Sequence, residues 1–586
     1  VTTFAWVIDQ TSCIGCHACT TACKQENEVP LGVNRTWVKY VETGTFPQTR
    51  RQIAVLRCNH CAEPPCVEIC PTSAMFRRSD GIVDFDTSRC IGCKACLQAC
   101  PYDAIYIDPE EHVAEKCNFC AHRVDRGLLP SCVVVCPTES LVFGDLDDPA
   151  SRVSRLVSSR PTTLRRPEQG TQPKAFYLGA AEAALDPLVP VHEDGYLWSD
   201  RRTGGAKDHT AAIAAWRTTT DEVDILSMAR AGGDEPRRPV RAPLPMLSPD
   251  ALALGALRVP AAPGGGAGGA ALALPVDRFG ATGGPRATDR PATLRMPKAR
   301  AVYDVFHPRP WGWKVALYLW TKGLGAGAFG LVFLAAALGL ATPDRIVRLA
   351  AAFLSLVGVG LTALLLVWDL KRPERFLTIL IHPQWRSWLT LGAFVLIGYS
   401  SLLGLWFLGT LAGLDDGALT ALGWPTLGLA TLAALYTAFL LGQCEARDLW
   451  QSPLLIVVLL AQATILGATG LIAIGVLTAA PSSILDLARA ALAVGAAVDL
   501  GALVLGEAVL EHPTTNARAA AHLLVRGPYR ANFWLGGVVA AGVVPIAVAL
   551  LAPASGPLLA AGVLAAAGLL WYELGFIAAG QAVPIS

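Results

Sequence analysis

Cys90-Ile91-Gly92-Cys93-Lys94-Ala95-Cys96-Leu97-Gln98-Ala99-Cys100-Pro101 decides how the N-terminal part of this chain folds. The run reads C-x2-C-x2-C-x3-C-P. Three thiolates at that spacing wrap one iron–sulfur cube, and the fourth leaves the loop to ligate a neighbouring one. Such a run calls for partner runs, and three more are present. They are Cys13, Cys16, Cys19 and Cys23; Cys58, Cys61, Cys66 and Cys70; and Cys117, Cys120, Cys132 and Cys136. Pro71, Pro101 and Pro137 follow the last cysteine of three quartets, where proline stops the helix and turns the chain away.

Sixteen of the 17 cysteines therefore fall into four quartets, the number that four 4Fe–4S clusters need. Zinc competes for C-x2-C pairs, but it needs only two knuckles and a spacer. A disulfide framework belongs to short secreted chains. Lys94, Lys116 and Arg123 lie near the cysteine loops and are candidates for offsetting cluster charge. His17, His60 and His122 sit beside cysteines that already close the sites. Cys444 reads as a small apolar residue at a helix end. The alternating segments 81–86 and 104–107 predict short strands.

The 586 residues exceed one core, so several domains are expected. The net charge of +1 gives no reason to expect nucleic acid. Residues 1–185 form the cysteine domain, and residues 186–310, with the low-complexity stretch Pro260–Gly269, read as a Gly/Pro-rich tether. A short helix at 211–216 is predicted within it. Residues 311–586 carry eight apolar stretches, at about 313–341, 346–368, 386–411, 418–442, 453–479, 485–510, 532–552 and 556–579. Each is long enough to cross a bilayer, for which about 20 residues suffice. The predicted fold class is an α+β double bicluster-ferredoxin-like domain followed by an all-α eight-helix transmembrane domain.

Basic residues crowd the loops on the side shared with the cysteine domain, among them Lys314, Lys371, Arg372, Arg375, Arg386, Arg447, Arg518, Arg526 and Arg530. The opposite loops carry Arg345, Arg348 and Arg489. By the positive-inside rule the clusters face the cytoplasm. No basic, then apolar, then small-residue leader follows Val1, which agrees with that expectation.

Residues 1–180 resemble the four-cluster ferredoxin subunit of the DMSO reductase and polysulfide reductase family. That resemblance implies exchanged ligands: one cluster takes Cys13, Cys16, Cys19 and Cys136, and its neighbour Cys117, Cys120, Cys132 and Cys23. A third takes Cys58, Cys61, Cys66 and Cys100, and the fourth Cys90, Cys93, Cys96 and Cys70. Trp368-Asp369-Leu370-Lys371-Arg372-Pro373-Glu374-Arg375-Phe376, with Leu317–Gly323 in the first stretch, resembles the NrfD or polysulfide reductase membrane-anchor family. It implies a quinone-binding subunit of the bacterial inner membrane, without haem. The histidines agree, since His307, His382, His512 and His522 lie at ends or loops rather than facing one another at mid-membrane.

Candidate quinone contacts gather at the ferredoxin-side ends of the first four stretches: Trp313, Tyr318, Lys322, Asp369, Arg372, Arg375, His382, Tyr436 and Glu445. A quinone carbonyl needs a donor and its reduction needs protons. Asp499, near the middle of the sixth stretch, is expensive to bury, and it suggests a proton path with Glu507 and Glu573. The two resemblances together imply a natural fusion serving a respiratory complex. A molybdopterin catalytic subunit docks on the ferredoxin domain, and electrons pass between it and menaquinone or ubiquinone in the bilayer. The alternatives are a quinol-oxidising, proton-translocating module of an alternative-complex-III-like assembly, and an assembly scaffold with idle clusters.

Overall fold

The computed structural model describes residues 2–44, 47–189, 299–305, 307–552 and 554–586. Most of the predicted tether, including the helix expected at 211–216, lies outside them.

The cysteine domain is built on short strands. They are β1 (Phe4–Asp9), β2 (Thr36–Thr43), β3 (Arg50–Arg57), β4 (Met75–Arg77), β5 (Val83–Phe85), β6 (Ile105–Ile107), β7 (Ala114–Lys116), β8 (Leu141–Asp145), β9 (Thr162–Thr163), β10 (Ala175–Leu178) and β11 (Arg300–Tyr303). One sheet has the order β8-β1-β10-β9, a second β11-β2-β3, and β4-β5 and β6-β7 are hairpins. The alternating segments seen in the sequence become β5 and β6. Short helices such as Ala18–Glu26 and Ala95–Ala99 begin one residue before the third cysteine of a run; the fourth lies within the first helix as Cys23 and caps the end of the second as Cys100. Trp6, Ile8, Val38, Val55, Ile69 and Phe119 are buried among the cysteines and exclude water from them. Near the end of the segment read as a tether, Arg300–Tyr303 is a strand antiparallel to β2, with Arg300 opposite Glu42 and Ala301 opposite Val41.

Among the described residues, eight helices are long and apolar enough to cross a membrane. The spans run Trp313–Ala337, Arg345–Asp369, Trp388–Ala412, Asp416–Gly442, Leu455–Thr478, Ser482–Val509, Asn532–Leu551 and Ser555–Ala582. Asp344 and Asp415 cap the second and fourth spans by accepting hydrogen bonds from the amides of Val347 and Ala418. The first span packs on the second, fourth and fifth. The crossing of the first and fifth spans is set by Gly327 and Gly467, whose backbones meet so closely that a Cβ on either would overlap the other helix. The end of the sixth span (Val504–Val509) and much of the seventh (Asn532–Val543) wind as π-helix. That winding is often found at working sites, and it brackets Glu507.

Candidate functional site

Four cavities in the cysteine domain are each lined by four cysteines. One is lined by Cys13, Cys16, Cys19 and Cys136, and the next by Cys23, Cys117, Cys120 and Cys132. A third is lined by Cys58, Cys61, Cys66 and Cys100, and a fourth by Cys70, Cys90, Cys93 and Cys96. Each cavity therefore takes one cysteine from a distant run. The four form a row. Cys19 of the first faces Cys132 of the second, Cys117 of the second faces Cys58 of the third, and Cys66 of the third faces Cys96 of the fourth.

The donor chemistry fits iron–sulfur clusters. Zinc would draw four thiolates to within about 2.3 Å of one point. Among the described residues no three Cys, His, Asp or Glu side chains converge that way; the thiols instead line the walls of four separate cavities. Backbone amides point at the sulfurs, as at His60 to Cys58 (3.5 Å), Met75 to Cys70 (3.4 Å) and Ala114 to Cys90 (3.3 Å). Such bonds favour the charged thiolate.

The row is open at one end and covered at the other. Cys16 of the first cavity is exposed, and Ile14 in the first cysteine run and Leu128, Leu129, Val134 and Val135 in the fourth are exposed apolar residues. The fourth cavity is pressed against the membrane domain. Lys94 pairs with Asp369 at 2.7 Å, with side chains 6% and 17% exposed. Arg372 donates to the carbonyl and carboxylate of Glu111 (2.7 and 3.1 Å). Arg375 donates to the carbonyls of Thr87 and Cys90 (2.7 and 3.3 Å). The amides of Lys371 and Arg372 donate to Gly92 and Ile91. Gly92 has φ +68°, and a Cβ there would lie 2.5 Å from Lys371 Cβ. Asp369, Arg372 and Arg375, predicted as quinone contacts, are thus engaged in docking the two domains.

A buried network that the sequence reading missed continues this interface. Gln98 donates to Gln581 Oε1 (2.6 Å), and Arg447 Nε donates to Gln98 Oε1 (2.8 Å). Gln581 exchanges bonds with both the amide and the carbonyl of Trp311 (3.0 and 2.8 Å). Trp311 Nε1 donates to the carbonyl of Cys93 (3.3 Å), and its ring stacks on Trp450 at 5.5 Å. Gln98 was visible as a polar residue in the x3 gap of Cys96–Cys100, where a polar side chain facing apolar sequence needs a partner.

Beneath this layer, inside the membrane domain, Lys322 is fully buried. Its Nζ donates to Thr437 Oγ1 and lies 4.6 Å from the centre of the Tyr436 ring. Tyr318 lies between it and the interface, within reach of Asp369 and Tyr436. Glu573 is close enough to act on both Lys322 and Asp499. Both oxygens of Asp499 and one of Glu573 are buried without a hydrogen-bond partner. Glu507 lies 3.8 Å from His512, at the ferredoxin-side end of the sixth span. At 1.5 Å per residue, Lys322 and Glu573 sit at equal depths, roughly 13 Å inside their spans. Trp313 and His382 are exposed at the same side. Glu445, in the loop after the fourth span, has its carboxyl pushed up to about 7 by burial and by Glu68.

The comparisons with known proteins divide the chain in the same place. Residues 50–146 match the family model "4Fe-4S dicluster domain" and residues 302–585 match "Polysulphide reductase, NrfD". A tetrathionate reductase subunit of Salmonella typhimurium is 43% identical over 201 residues, which are 34% of this chain and 80% of that protein. The protein belongs to the family of reductase iron–sulfur subunits, fused to an NrfD membrane domain. The iron–sulfur subunit fusion is also similar to a polysulfide reductase chain of Wolinella succinogenes, 41% identical over 179 residues (30% of this chain, 92% of that one). A putative dimethyl sulfoxide reductase iron–sulfur subunit of Halobacterium salinarum is 35% identical over 268 residues (40% and 100%). The fusion is a multi-pass membrane protein and an oxidoreductase subunit of 4Fe–4S, electron-transport type.

A second buried polar cluster ties the segment preceding the first span to the cysteine domain. His307 Nδ1 pairs with Asp103 at 2.5 Å and Nε2 with Asp304 at 3.5 Å. Burial alone would lower the imidazole, but the two carboxylates outweigh it and hold it at about 9. A pKa raised on folding stabilises the protein fully below the ordinary value near 6.5, and the gain is lost as pH rises through 9. His307→Gln is expected to lower thermal stability at pH 6, by roughly 3 kcal/mol at most, and to flatten the wild-type decline between pH 6.5 and 9. Parallel unfolding curves for the two proteins across that window would remove His307 from the link.

Proposed function

We propose that this chain is the electron-transfer and quinone-reactive membrane subunit of a respiratory complex, with four 4Fe–4S clusters in its four cysteine cavities. The ligand sets are those lining the cavities: Cys13, Cys16, Cys19 and Cys136; Cys117, Cys120, Cys132 and Cys23; Cys58, Cys61, Cys66 and Cys100; and Cys90, Cys93, Cys96 and Cys70. When bound, the clusters supply one-electron exchange. The observation that carries the reading is the row itself, which starts at an exposed edge and ends against the membrane domain, above Lys322.

The apolar residues exposed in the first and fourth cysteine runs support docking of a catalytic partner there, of molybdopterin type by resemblance to relatives that reduce sulfur compounds. Lys322, with Thr437 and Tyr436, is placed to donate a hydrogen bond to a quinone carbonyl and Glu573 to exchange its proton. Quinone reaching this depth would pass between Tyr318 and Tyr436. His382 and Glu445 lie nearer the surface, on the path of protons or of the quinone ring. The basic loops favour the cytoplasmic face for the cysteine domain, although part of that charge serves docking.

Purified chain is expected to hold about sixteen iron atoms, four per cluster, and to show cluster EPR signals after anaerobic addition of menaquinol or ubiquinol. Zinc in place of iron, or signals that appear with dithionite but with neither quinol, would overturn the reading.

The buried acids favour a second reading, proton translocation as in an alternative-complex-III-like module. Asp499, Glu573 and Glu507 form a sparsely hydrogen-bonded series from the membrane interior to His512. Asp499→Asn is expected to cut proton movement per electron in proteoliposomes at least about tenfold, with quinol reduction of the clusters intact. Equal coupling in the two proteins would leave Asp499 a structural acid.

A further inference from the structure

Arg57 ends β3 and is completely buried. Its guanidinium donates to Cys132 Sγ at 3.3 Å and lies 4.4 Å from the centre of the Trp6 ring. Nε and the second terminal nitrogen have no hydrogen-bond partner. The groups facing it are thiols: Cys132, Cys19 and Cys117, with Cys13 and Cys23 also in reach. These belong to the first two cavities of the row, and Arg57 lines the second of them. Among the described residues no carboxylate pairs with it. Arg35, which lines the same cavity, differs because Glu115 neutralises it at 2.7 Å.

A buried cation without a counter-charge is costly unless something negative occupies the space beside it. Here the negative charge is that of thiolates and of whatever they bind. One-electron reduction of a cluster at either site adds a further negative charge, and hydrogen bonds to its sulfurs and nearby net charge set its potential. We propose that Arg57 is a positioning residue that raises the reduction potential of the two clusters farthest from the membrane together. At the third site the buried cation is Lys116, which lines that cavity and donates to the carbonyls of Val83 and Cys117, and at the fourth Lys94 is neutralised by Asp369, so the effect of Arg57 falls on the first two sites. The inference rests on the cluster assignment, which the iron content of the same samples checks separately.

The test is an EPR-monitored redox titration of the full chain in detergent, with iron measured in each sample. Arg57→Gln is expected to keep its iron and to make two of the four clusters at least tenfold harder to reduce, about 59 mV for one electron. The other two should be unmoved, and Arg57→Lys should stay nearer the wild type. Four unchanged midpoints with full iron would overturn the proposal. Should Arg57→Gln fail to load, wild-type protein labelled with 15N-arginine decides. Its reduced clusters should show a nitrogen coupling by pulsed EPR that Arg57→Lys lacks, and absence of that coupling in the wild type would also overturn it.

Discussion

Lys322→Met is expected to lower quinone-dependent turnover about 10²- to 10³-fold while the protein keeps its iron. Methionine preserves the length and apolar bulk of the side chain, so the first span should still pack. What disappears is a buried donor held by Thr437 and Tyr436 at the depth of Glu573. If that donor stabilises charge on a quinone oxygen as it is reduced, its loss falls on the rate more than on binding. Dithionite should reduce the variant's clusters as in wild type, since the row of cysteine cavities lies outside the change. Steady-state assays with a soluble quinol, alongside iron analysis, measure this; turnover within threefold of wild type would place the reactive site elsewhere. Glu573→Gln is the companion variant: with Lys322 retained, it should weaken turnover and move its pH dependence.

Lys94→Glu is expected to loosen the seam between the two domains by about 3–5 kcal/mol, the effect of leaving a mostly buried charge without its partner. Asp369 would then face a second carboxylate, beside Gly92, whose backbone already touches Lys371. The readout is the rate at which quinol reduces the clusters, because electron transfer falls steeply with separation. The exchanged pair Lys94→Asp with Asp369→Lys should recover much of that rate, and a double-mutant cycle isolates the pairing from other effects. Additive losses, with no recovery in the exchanged pair, would mean that Asp369 acts in quinone chemistry, as its position in the sequence first suggested.

That ambiguity marks how far the sequence could be read. Ligand spacing is local, so four quartets were legible without coordinates. The eight apolar stretches were legible because a bilayer imposes length and hydropathy on each span separately. Asp369, Arg372 and Arg375 were found as a polar group at a helix end, but helix ends serve docking and ligands alike. Only the position of Glu111, Thr87 and Cys90 beside them separates the two uses. Arg57 was passed over because it precedes a cysteine in a strand that reads as ordinary, and its meaning lies in cysteines 75 and 60 residues away in the chain, Cys132 and Cys117. The strand Arg300–Tyr303 is too short to stand out beside low-complexity sequence, and it exists because β2 offers it an edge.

Both borders of the membrane domain are sewn to the cysteine domain. Arg300–Tyr303 adds to β2 just before the first span. After the eighth span, the carbonyl of Ile585 accepts from Arg165 and that of Ser586 from Lys39. In organisms that make the two modules as separate polypeptides, their ratio depends on synthesis and on dilution. Here a peptide bond fixes it at one to one, and re-docking is unimolecular at any expression level. The cell accumulates no orphaned iron–sulfur module whose electrons would leak to oxygen, and no unattended anchor idling in the lipid.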